Sequence, residues 1–416
     1  MHLLFIGTSE KFVKWCGLWG HKCTVIEYPE RRPFYKSVDL DIDYPARHQI
    51  YESDGAAQFL YFNFRNDALL SQVVDGINAA SPIDRVISIQ EYGLEKASSI
   101  SARLGLPHTS LETVLNTRDK SRMRTVMSHA QLNNVPFCTT SHFELALDFA
   151  KRNGFPVIVK PTDKCGSLFV SRANTEAELF KGFSAITDAG SQCVIVENYV
   201  TGPHYGVVTY SQGGKHHPVA LVRIFHDPEV GQGTFASIGQ YVNPKEEPHI
   251  LEKFSSAFSS FLDAIGLSDG PCWTEFRLCG DEVHFIETQC RYPAGYIVDL
   301  IEMAYGVDVH ELLLADVVGA LESVPTFLAA RRKPVSGAAV RFFTPKAGHI
   351  SAIVRSKYLS DANVVASHIN LKPGDEMRPM VSEADRQGFV IAKGDTGEEA
   401  YKLASQAVET TYFQYQ

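Results

Sequence analysis

Two stretches of period-two alternation, Trp273-Thr274-Glu275-Phe276-Arg277-Leu278 and Val283-His284-Phe285-Ile286-Glu287-Thr288-Gln289-Cys290-Arg291, stand only four residues apart. Successive side chains in such a stretch fall on opposite faces, the rhythm of a strand. The intervening Cys279-Gly280-Asp281-Glu282 reads as a turn, so the two runs close as an antiparallel hairpin. Loop length then decides the chemistry. A three-residue loop at 280–282 sets Glu275 directly opposite Glu287 on one face, about 4.5–5.5 Å apart. A two-residue loop sets them on opposite faces, where they are ordinary solvated or ion-paired carboxylates. The facing arrangement repels itself and calls for a cation. Gln289 adds a neutral oxygen on the same face, and Arg291 adds a fixed positive charge beyond it. Two carboxylates and an amide suit Mg²⁺, which keeps several waters and takes its remaining ligands from phosphates.

The rest of the composition narrows the classes. A chain of 416 residues exceeds one simple core and implies two to four domains or subdomains. Hydrophobic content of 44% and charged content of 21% are those of a globular protein. A net charge of −9 argues against a sequence-independent nucleic-acid binder, which needs clustered Lys and Arg. No apolar run approaches the roughly 18–20 residues that span a bilayer. The N-terminal Met1-His2-Leu3-Leu4-Phe5-Ile6-Gly7 is a short strand without the basic and apolar regions of a leader. Eight cysteines are scattered with no CxxC pair, and fifteen histidines include no HExxH. His216-His217 reads as a loop or strand-end pair. The expectation is a soluble, cytoplasmic protein of a reducing compartment, with no nucleic-acid or membrane partner.

Strand and helix signals alternate over the first hundred or so residues. Strands are expected at 3–6, 22–27, 58–64 and 85–89, and helices at 11–19, 67–80 and 95–104. That order predicts a parallel sheet wrapped by helices. Gly7 follows the first strand, but no GxGxxG fingerprint does, so the region is a Rossmann-like framework without the usual cofactor site. A helix is expected from about Asn116-Thr117, with Met123, Val126, Met127 and Ala130 on one face. Ser141-His142-Phe143-Glu144 and Thr175-Glu176-Ala177-Glu178 read as capping boxes. The first opens a helix that ends at Asn153-Gly154 before the strand Val157-Ile158-Val159-Lys160-Pro161 and the loop Thr162-Asp163-Lys164-Cys165-Gly166-Ser167. The second opens a helix ahead of the strand Cys193-Val194-Ile195-Val196-Glu197. Residues 138–197 therefore make a small α+β subdomain. Residues 297–314 form an amphipathic helix or helix pair. Short strands resume at 337–343, 349–354 and 388–392 before a final helix at 398–409.

Strand-ending Lys160-Pro161, the Gly166-Ser167 loop, Glu197-Asn198-Tyr199-Val200 with Gly202, and Glu275 followed by Glu287-Thr288-Gln289-Cys290-Arg291 occur in one order. That ordered set resembles the ATP-grasp superfamily, with motifs spanning about residues 119–314 and room for flanking domains on either side. The resemblance implies an α/β fold with an α+β lid. Residues 1–112 would be a Rossmann-like pre-grasp domain, and 113–198 a linker helix and the lid subdomain. Residues 199–334 would be the large antiparallel-sheet subdomain, and 335–416 a C-terminal subdomain packed on it.

By the same resemblance, Lys120 and Lys160 hold the phosphates of ATP, and the loop 163–167 closes over them with backbone N–H groups, Gly166 and Ser167 among them. Glu197 and the backbone near Val200 match the hinge that brackets adenine. The usual Gly-x-Glu for the ribose hydroxyls is here Gly202-Pro203-His204, which puts His204 in that role. Glu275, Glu287 and Gln289 match the Mg²⁺ ligands, with Mn²⁺ able to substitute; Gln289 is one methylene longer than the commoner Asn. Arg291 matches the arginine that steadies the transferred phosphoryl group, and Pro293-Ala294-Gly295 the small-residue turn behind it. Arg291, Lys160 and Glu287 are thus the implied catalytic groups.

The implied reaction activates a carboxylate as an acyl phosphate at the expense of ATP and couples it to an amine. Chain size, the Ile89-Gln90-Glu91 strand end and the segment Ala338-Ala339-Val340-Arg341-Phe342-Phe343 look most like the L-amino acid ligases, which form dipeptides. The substrates would then be amino acids, and a homodimer is a possible assembly. By this analogy Glu91, Arg223, His226, Gly295 and Arg341 are substrate-wall candidates, with the 223–234 region completing the pocket. Arg223, His226 and Arg341 read equally as structural groups. Carboxylating ATP-grasp enzymes and a nucleotide-binding protein without catalysis stand as the alternatives.

Overall fold

In the computed structural model, residues 1–28, 57–132, 135–226, 235–333, 336–380 and 382–416 are described; the 227–234 part of the expected substrate wall lies outside them. The chain opens with β1 (His2–Ile6), α1 (Glu10–Leu18), β2 (Lys22–Glu27), β3 (Ala57–Tyr61), α2 (Asp67–Ala80), β4 (Arg85–Ile87) and α3 (Leu94–Arg103). The strands make a parallel sheet in the order β3-β2-β1-β4. From Leu3 to Ile6, β1 is an unbroken apolar run because both of its faces are covered. Leu3 and Phe5 join the core that holds Phe12, while Leu4 and Ile6 pack with Leu70 and Val74. The crevice at the end of β1 is filled by a side chain. A Cβ on Gly7 (φ +69°) would stand 2.5 Å from Gln90 Oε1, and Gln90 Nε2 donates to Thr8 O and Glu27 Oε2.

The single helix expected from 116–117 is two helices, α4 (Leu111–Arg118) and α5 (Lys120–His129). Asp119 breaks the run: its Oδ1 accepts from the N–H groups of Ser121 at 2.8 Å and Arg122 at 2.9 Å, capping α5. Asn116 and Thr117, expected as the cap, belong to the last turn of α4. Lys120 thereby occupies the first turn of α5, with Met123 and Met127 on the buried face.

A small α+β unit follows: β5 (Phe137–Thr140), α6 (Phe143–Asn153), β6 (Val157–Pro161), β7 (Ser171–Ala173), α7 (Glu176–Asp188) and β8 (Val194–Asn198). Its antiparallel sheet has the order β5-β8-β6-β7. It buries a core of its own, with Ala146 and Phe149 of α6 and Leu179 and Phe183 of α7 against Val157, Val159 and Val196. The capping box expected at 141–144 does not form: His142 sits at the N-cap without a side-chain bond. Thr175 does cap α7, accepting from Glu178 N, while the Glu178 carboxylate reaches back to Asn174 N.

The remaining elements are β9 (His204–Gln212), β10 (Lys215–His226), β11 (Ser237–Val242), α8 (Glu247–Ile265), β12 (Gly270–Cys279), β13 (Glu282–Gln289), α9 (Ile297–Tyr305), α10 (Val309–Val317), α11 (Val324–Arg331), β14 (Gly337–Phe342), β15 (Gly348–Val354), β16 (Val364–Ile369), β17 (Glu376–Met377), β18 (Gly388–Gly394), α12 (Gly397–Glu409) and β19 (Tyr412–Tyr415). Eight of these strands form one antiparallel sheet, β13-β12-β9-β10-β11-β14-β18-β16. The tail therefore continues the central sheet: β14 pairs with β11 through Gly239–Arg341 and Val242–Ala338. On one side of this sheet α8 packs Phe258 on Phe276 and stacks Phe261 on Phe285, ring centroids 4.9 and 4.1 Å apart. On the other, α9 and α10 merge with the first domain into one core reaching from Phe5 and Phe12 to Trp273, Leu300 and Val340. Lys11 pairs with Glu302 and Asp308 across that junction. No helix among the described residues is long and apolar enough to cross a membrane.

Candidate active site

Glu275 on β12 and Glu287 on β13 are direct cross-strand partners. The way they come to face each other differs from the expectation. The turn is the two-residue kind, with Cys279 paired to Glu282, which alone would have split the carboxylates between faces. One residue is then gained on β13: Phe276 opposes Phe285 while Glu275 opposes Glu287, so Ile286 is a β-bulge. The bulge brings Glu287 back opposite Glu275 and turns Ile286 into the same cleft. Each carboxylate keeps 22% of its side-chain surface open.

Glu275 is held by Trp273 Nε1, which donates to Oε1 at 2.9 Å, and has His204 Nε2 3.1 Å from Oε2. Glu287 Oε1 accepts from Gln289 Nε2 at 2.9 Å, leaving the Gln289 carbonyl oxygen unspent in this amide orientation. Lys120 Nζ lies 3.3 Å from Glu287 Oε2 and donates to Lys164 O at 2.8 Å. Burial, then the adjacent Glu287 charge, pushes Glu275 up to about 8. Burial also works against the Glu287 charge, but Lys120 and Lys160 outweigh it and hold that carboxyl below its ordinary range. The two carboxylates titrate as a coupled pair, and burial beside the Glu287 charge favours Glu275 keeping its proton. A hard divalent cation is the natural replacement for that proton. The donor set fits Mg²⁺: two carboxylates and an amide oxygen at the rim of an open cleft, with positions left for waters and phosphate oxygens.

Behind the carboxylates lies an enclosed ionic group. Glu197, from the end of β8, receives Arg124 Nε on Oε1 and Lys160 Nζ on Oε2, both at 2.7 Å. Arg124, Lys160 and Glu197 side chains are 1%, 4% and 4% exposed, so these contacts are in a dry setting. Arg124 also donates to Phe285 O at 2.7 Å, tying α5 to the bulged strand. The Glu197 carboxylate is thus committed to the two cations, and the backbone through Asn198, Tyr199 and Val200, the expected hinge, lines the cleft beside it. Burial pushes Glu197 up, yet Arg124 and Lys160 prevail and bring it down to about 2. Lys160 is lowered by burial and by the nearby Arg124 and Lys120, which together exceed the pull of Glu197. The enclosure holds more positive than negative charge and is open toward the cleft, the electrostatic demand that a polyphosphate meets.

The loop after β6 brings Gly166 and Ser167, both at positive φ (+67° and +58°), over this opening. Ser167 Oγ donates to Phe235 O at 3.0 Å. His204 opens β9 and lies 2.7 Å from His226 through Nδ1, while its buried Nε2 has no hydrogen bond to a described residue despite the nearby Glu275. Burial, reinforced by Arg277, takes His204 down to about 3, so the ring is neutral and Nε2 is an uncommitted polar atom in the cleft wall. Arg291 Nε donates to Glu91 Oε2 at 2.8 Å, and Arg118 Nε lies 3.2 Å from Glu91 Oε1. Glu91 thus braces the arginine from the first domain; it is not a free substrate group.

Two further candidates are structural. Arg223 Nη1 donates to His204 O at 2.7 Å, and its guanidinium lies against the Tyr205 and Phe225 rings. Arg341 Nη1 donates to Ile238 O and Phe342 O. Neither lines the cleft, whereas His226 does. Gly295, at φ +75°, forms the turn next to Arg386. Four residues of the site went unnoticed in the sequence. Arg124 is one helical turn beyond Lys120, and Trp273 two residues before Glu275 on one strand face; both spacings were legible. Glu383 and Arg386 come from the tail, and no local signal marks them.

The cleft joining these groups holds about 1280 Å³, the part open to solvent included, enough for a nucleotide with small substrates beside it. Two family models match the chain: an ATP-grasp domain over residues 153–299 and an L-amino acid ligase C-terminal domain over residues 341–416. The alanine–anticapsin ligase of Bacillus subtilis is 24% identical over 287 residues; the match takes in 59% of this chain and 58% of that protein's length. Among solved structures, an L-amino acid ligase from Bacillus licheniformis superposes with a TM-score of 0.79 at 18% identity, covering 100% of this chain and 98% of the other. The biotin carboxylase domain of the Hydrogenobacter thermophilus 2-oxoglutarate carboxylase, in complex with MgADP and bicarbonate, superposes at 0.67 with 16% identity, covering 99% and 90%. These superpositions establish the shared fold.

Proposed function

Since the chain belongs to the ATP-grasp superfamily and carries an L-amino acid ligase C-terminal domain, we propose that it is an ADP-forming ligase joining an amino-acid carboxylate to the amine of a second amino acid. The observation that carries this reading is the pair Glu275–Glu287, cross-strand partners beside Lys120, in a cleft that Lys160 and Arg291 also line.

A carboxylate is a poor electrophile, and its oxygen must first take the γ-phosphoryl group of ATP, releasing ADP. The amine then attacks the carbonyl carbon; the new C–N bond forms, phosphate leaves and the amine gives up a proton. Negative charge gathers on oxygens in both steps. Lys120 and Lys160, buried side chains that line the cleft, would hold the phosphates. Arg291, held through Nε by Glu91 and through Nη1 by Tyr292 O, would steady the transferred group from the cleft wall. Glu275, Glu287 and Gln289 would hold Mg²⁺, which supplies Lewis-acid stabilisation of phosphate oxygens when bound. The loop bearing Gly166 and Ser167 covers the opening and would exclude water from a hydrolysable acyl phosphate.

The test is ADP release measured across a panel of amino acids, singly and in pairs. Release that needs two amino acids supports the dipeptide reading. Dependence on bicarbonate would favour a carboxylating enzyme, and no turnover with any combination would favour a nucleotide-binding protein. Glu287→Ala should abolish ADP release while the near-ultraviolet circular dichroism stays native; wild-type turnover in that variant would sink the metal assignment.

A further inference from the structure

The tail sends a second charged pair into the same cleft. Residues 382–385 form a tight turn closed by its own bonds: Ser382 N and Oγ both donate to Asp385 Oδ2, at 2.8 and 3.1 Å. Glu383 N donates to Gly166 O at 3.2 Å, so this turn meets the loop that covers the phosphates. Arg386 donates through Nε and Nη2 to Ser237 O and through Nη2 to Glu383 Oε1 at 2.6 Å. Its guanidinium carbon lies over the Phe342 ring, 3.9 Å from the centroid.

Those contacts fix the pair but do not use it up. Arg386 Nη1 has no hydrogen bond to any described residue and points at the turn behind Arg291, 3.7 Å from where a Cβ on Gly295 would stand. Glu383 Oε2 is likewise unbonded among the described residues, and 34% of that side chain is open although it lines the cleft. A free guanidinium edge and a free carboxylate oxygen, side by side on one wall, complement a zwitterion.

Two amino acids would enter this cleft, but only one arrives with a carboxylate that survives the reaction. The first presents its carboxylate to the phosphoryl group at Arg291 and loses it to the new bond. The second keeps its carboxylate, so it alone can leave that group on a permanent cation away from the phosphates. We propose that Arg386 and Glu383 bind the amine-donating amino acid, Arg386 Nη1 taking its α-carboxylate and Glu383 Oε2 its α-amino group. This rests on the ligase reading above.

The experiment separates the two half-reactions in the full-length chain. Hydroxylamine captures the activated first amino acid as a hydroxamate without any second amino acid, and dipeptide formation is followed in parallel. Arg386→Lys and Arg386→Met should raise KM for the amine donor tenfold or more, with hydroxamate formation and the KM for ATP within twofold of wild type. Glu383→Gln should raise the same KM and spare the same controls. Wild type should favour a free amino acid over its carboxamide as amine donor by at least tenfold, and Arg386→Met should erase that preference. Arg386 also ties down Ser237, so hydroxamate formation doubles as the check on folding, and the carboxamide comparison needs no variant. An unchanged donor KM in the variants, or equal use of the carboxamide by wild type, overturns the assignment while leaving the ligase intact. Absence of both hydroxamate and ADP release from wild type with every amino acid overturns the ligase reading and this assignment together.

Discussion

Glu197 is the residue on which the most electrostatics converges. It is a single carboxylate between two cations in a nearly dry enclosure, so its removal leaves Arg124 and Lys160 facing each other unshielded. Breaking a buried pair from one side typically costs about 3–5 kcal/mol, and Glu197→Gln should lower stability by that order in urea unfolding. The pH dependence has a definite sign. The folded carboxyl sits at about 2, against an ordinary value of 4.5, so the folded state binds this proton more weakly than the unfolded chain does. Its contribution is complete above pH 4.5 and is lost as the pH falls toward 2. The acid-side decline of the melting temperature should therefore be shallower in Glu197→Gln; an identical slope would show that the cations do not hold Glu197 down. That Glu275 and Glu287 face each other was legible from the strand rhythm, whereas Lys120 and Lys160 were singled out only through the family resemblance. The partners were not legible, since an ion pair such as Arg124 to Glu197 links residues 73 apart in the chain.

Among the elements, the β12–β13 hairpin shows how pairing is readable and its cause is not. A three-residue loop and a two-residue turn with a bulge both place Glu275 opposite Glu287, so the pairing alone does not tell them apart. The trace in the sequence is the doublet Phe285-Ile286, where two apolar residues interrupt the alternation: Phe285 faces the α8 core and Ile286 the cleft. The neighbouring strand imposes a separate condition. β9 passes beneath Trp273 at Gly206, where a Cβ would come within 1.9 Å of the indole. Gly206→Ala must displace the ring that donates to Glu275. An overpacked site of this kind loses about 1–3 kcal/mol, and weaker Mg²⁺-dependent nucleotide binding should accompany the loss. Calorimetric titration of the variant with nucleotide, with and without Mg²⁺, checks both; unchanged Mg²⁺ dependence would mean that Trp273 does not position the carboxylate. Asp119 followed the same pattern: the helical periodicity was visible, but the break at a well-capped Asp had to compete with a smooth apolar stripe.

Over the whole molecule, the parallel sheet of the first domain was legible because its strands are apolar runs separated by amphipathic helices. The tail was less so. β16, β17 and β19 are short or lie at sheet edges, and nothing local marks the turn at 382–385 as one that returns to a cleft built by residues far earlier in the chain. The central sheet also makes the tail indispensable. Cutting the chain after residue 333 would strip β14 from β11 and expose an edge strand that carries the buried Ile238, Tyr241 and Val242. A truncated chain of this kind should be insoluble or lack a cooperative melting transition, because an open apolar edge pairs with other chains. A soluble fragment with a sharp transition would refute that dependence. The lid unit, by contrast, has its own sheet and its own core.

That one sheet runs through both the strands bearing Glu275 and Glu287 and the tail has a consequence for how proteins of this shape can diverge. The tail is not a cassette to be traded between lineages. A borrowed one must arrive with β14 cut to the hydrogen-bond phase of β11 and β18 and β16 in step behind it, or the ladder fails. The turn that carries Glu383 and Arg386 is strung between β17 and β18, so it travels with that ladder. Selectivity in this corner of the pocket is then inherited together with the scaffold, and should drift by side-chain replacement at fixed backbone positions rather than by exchange of modules.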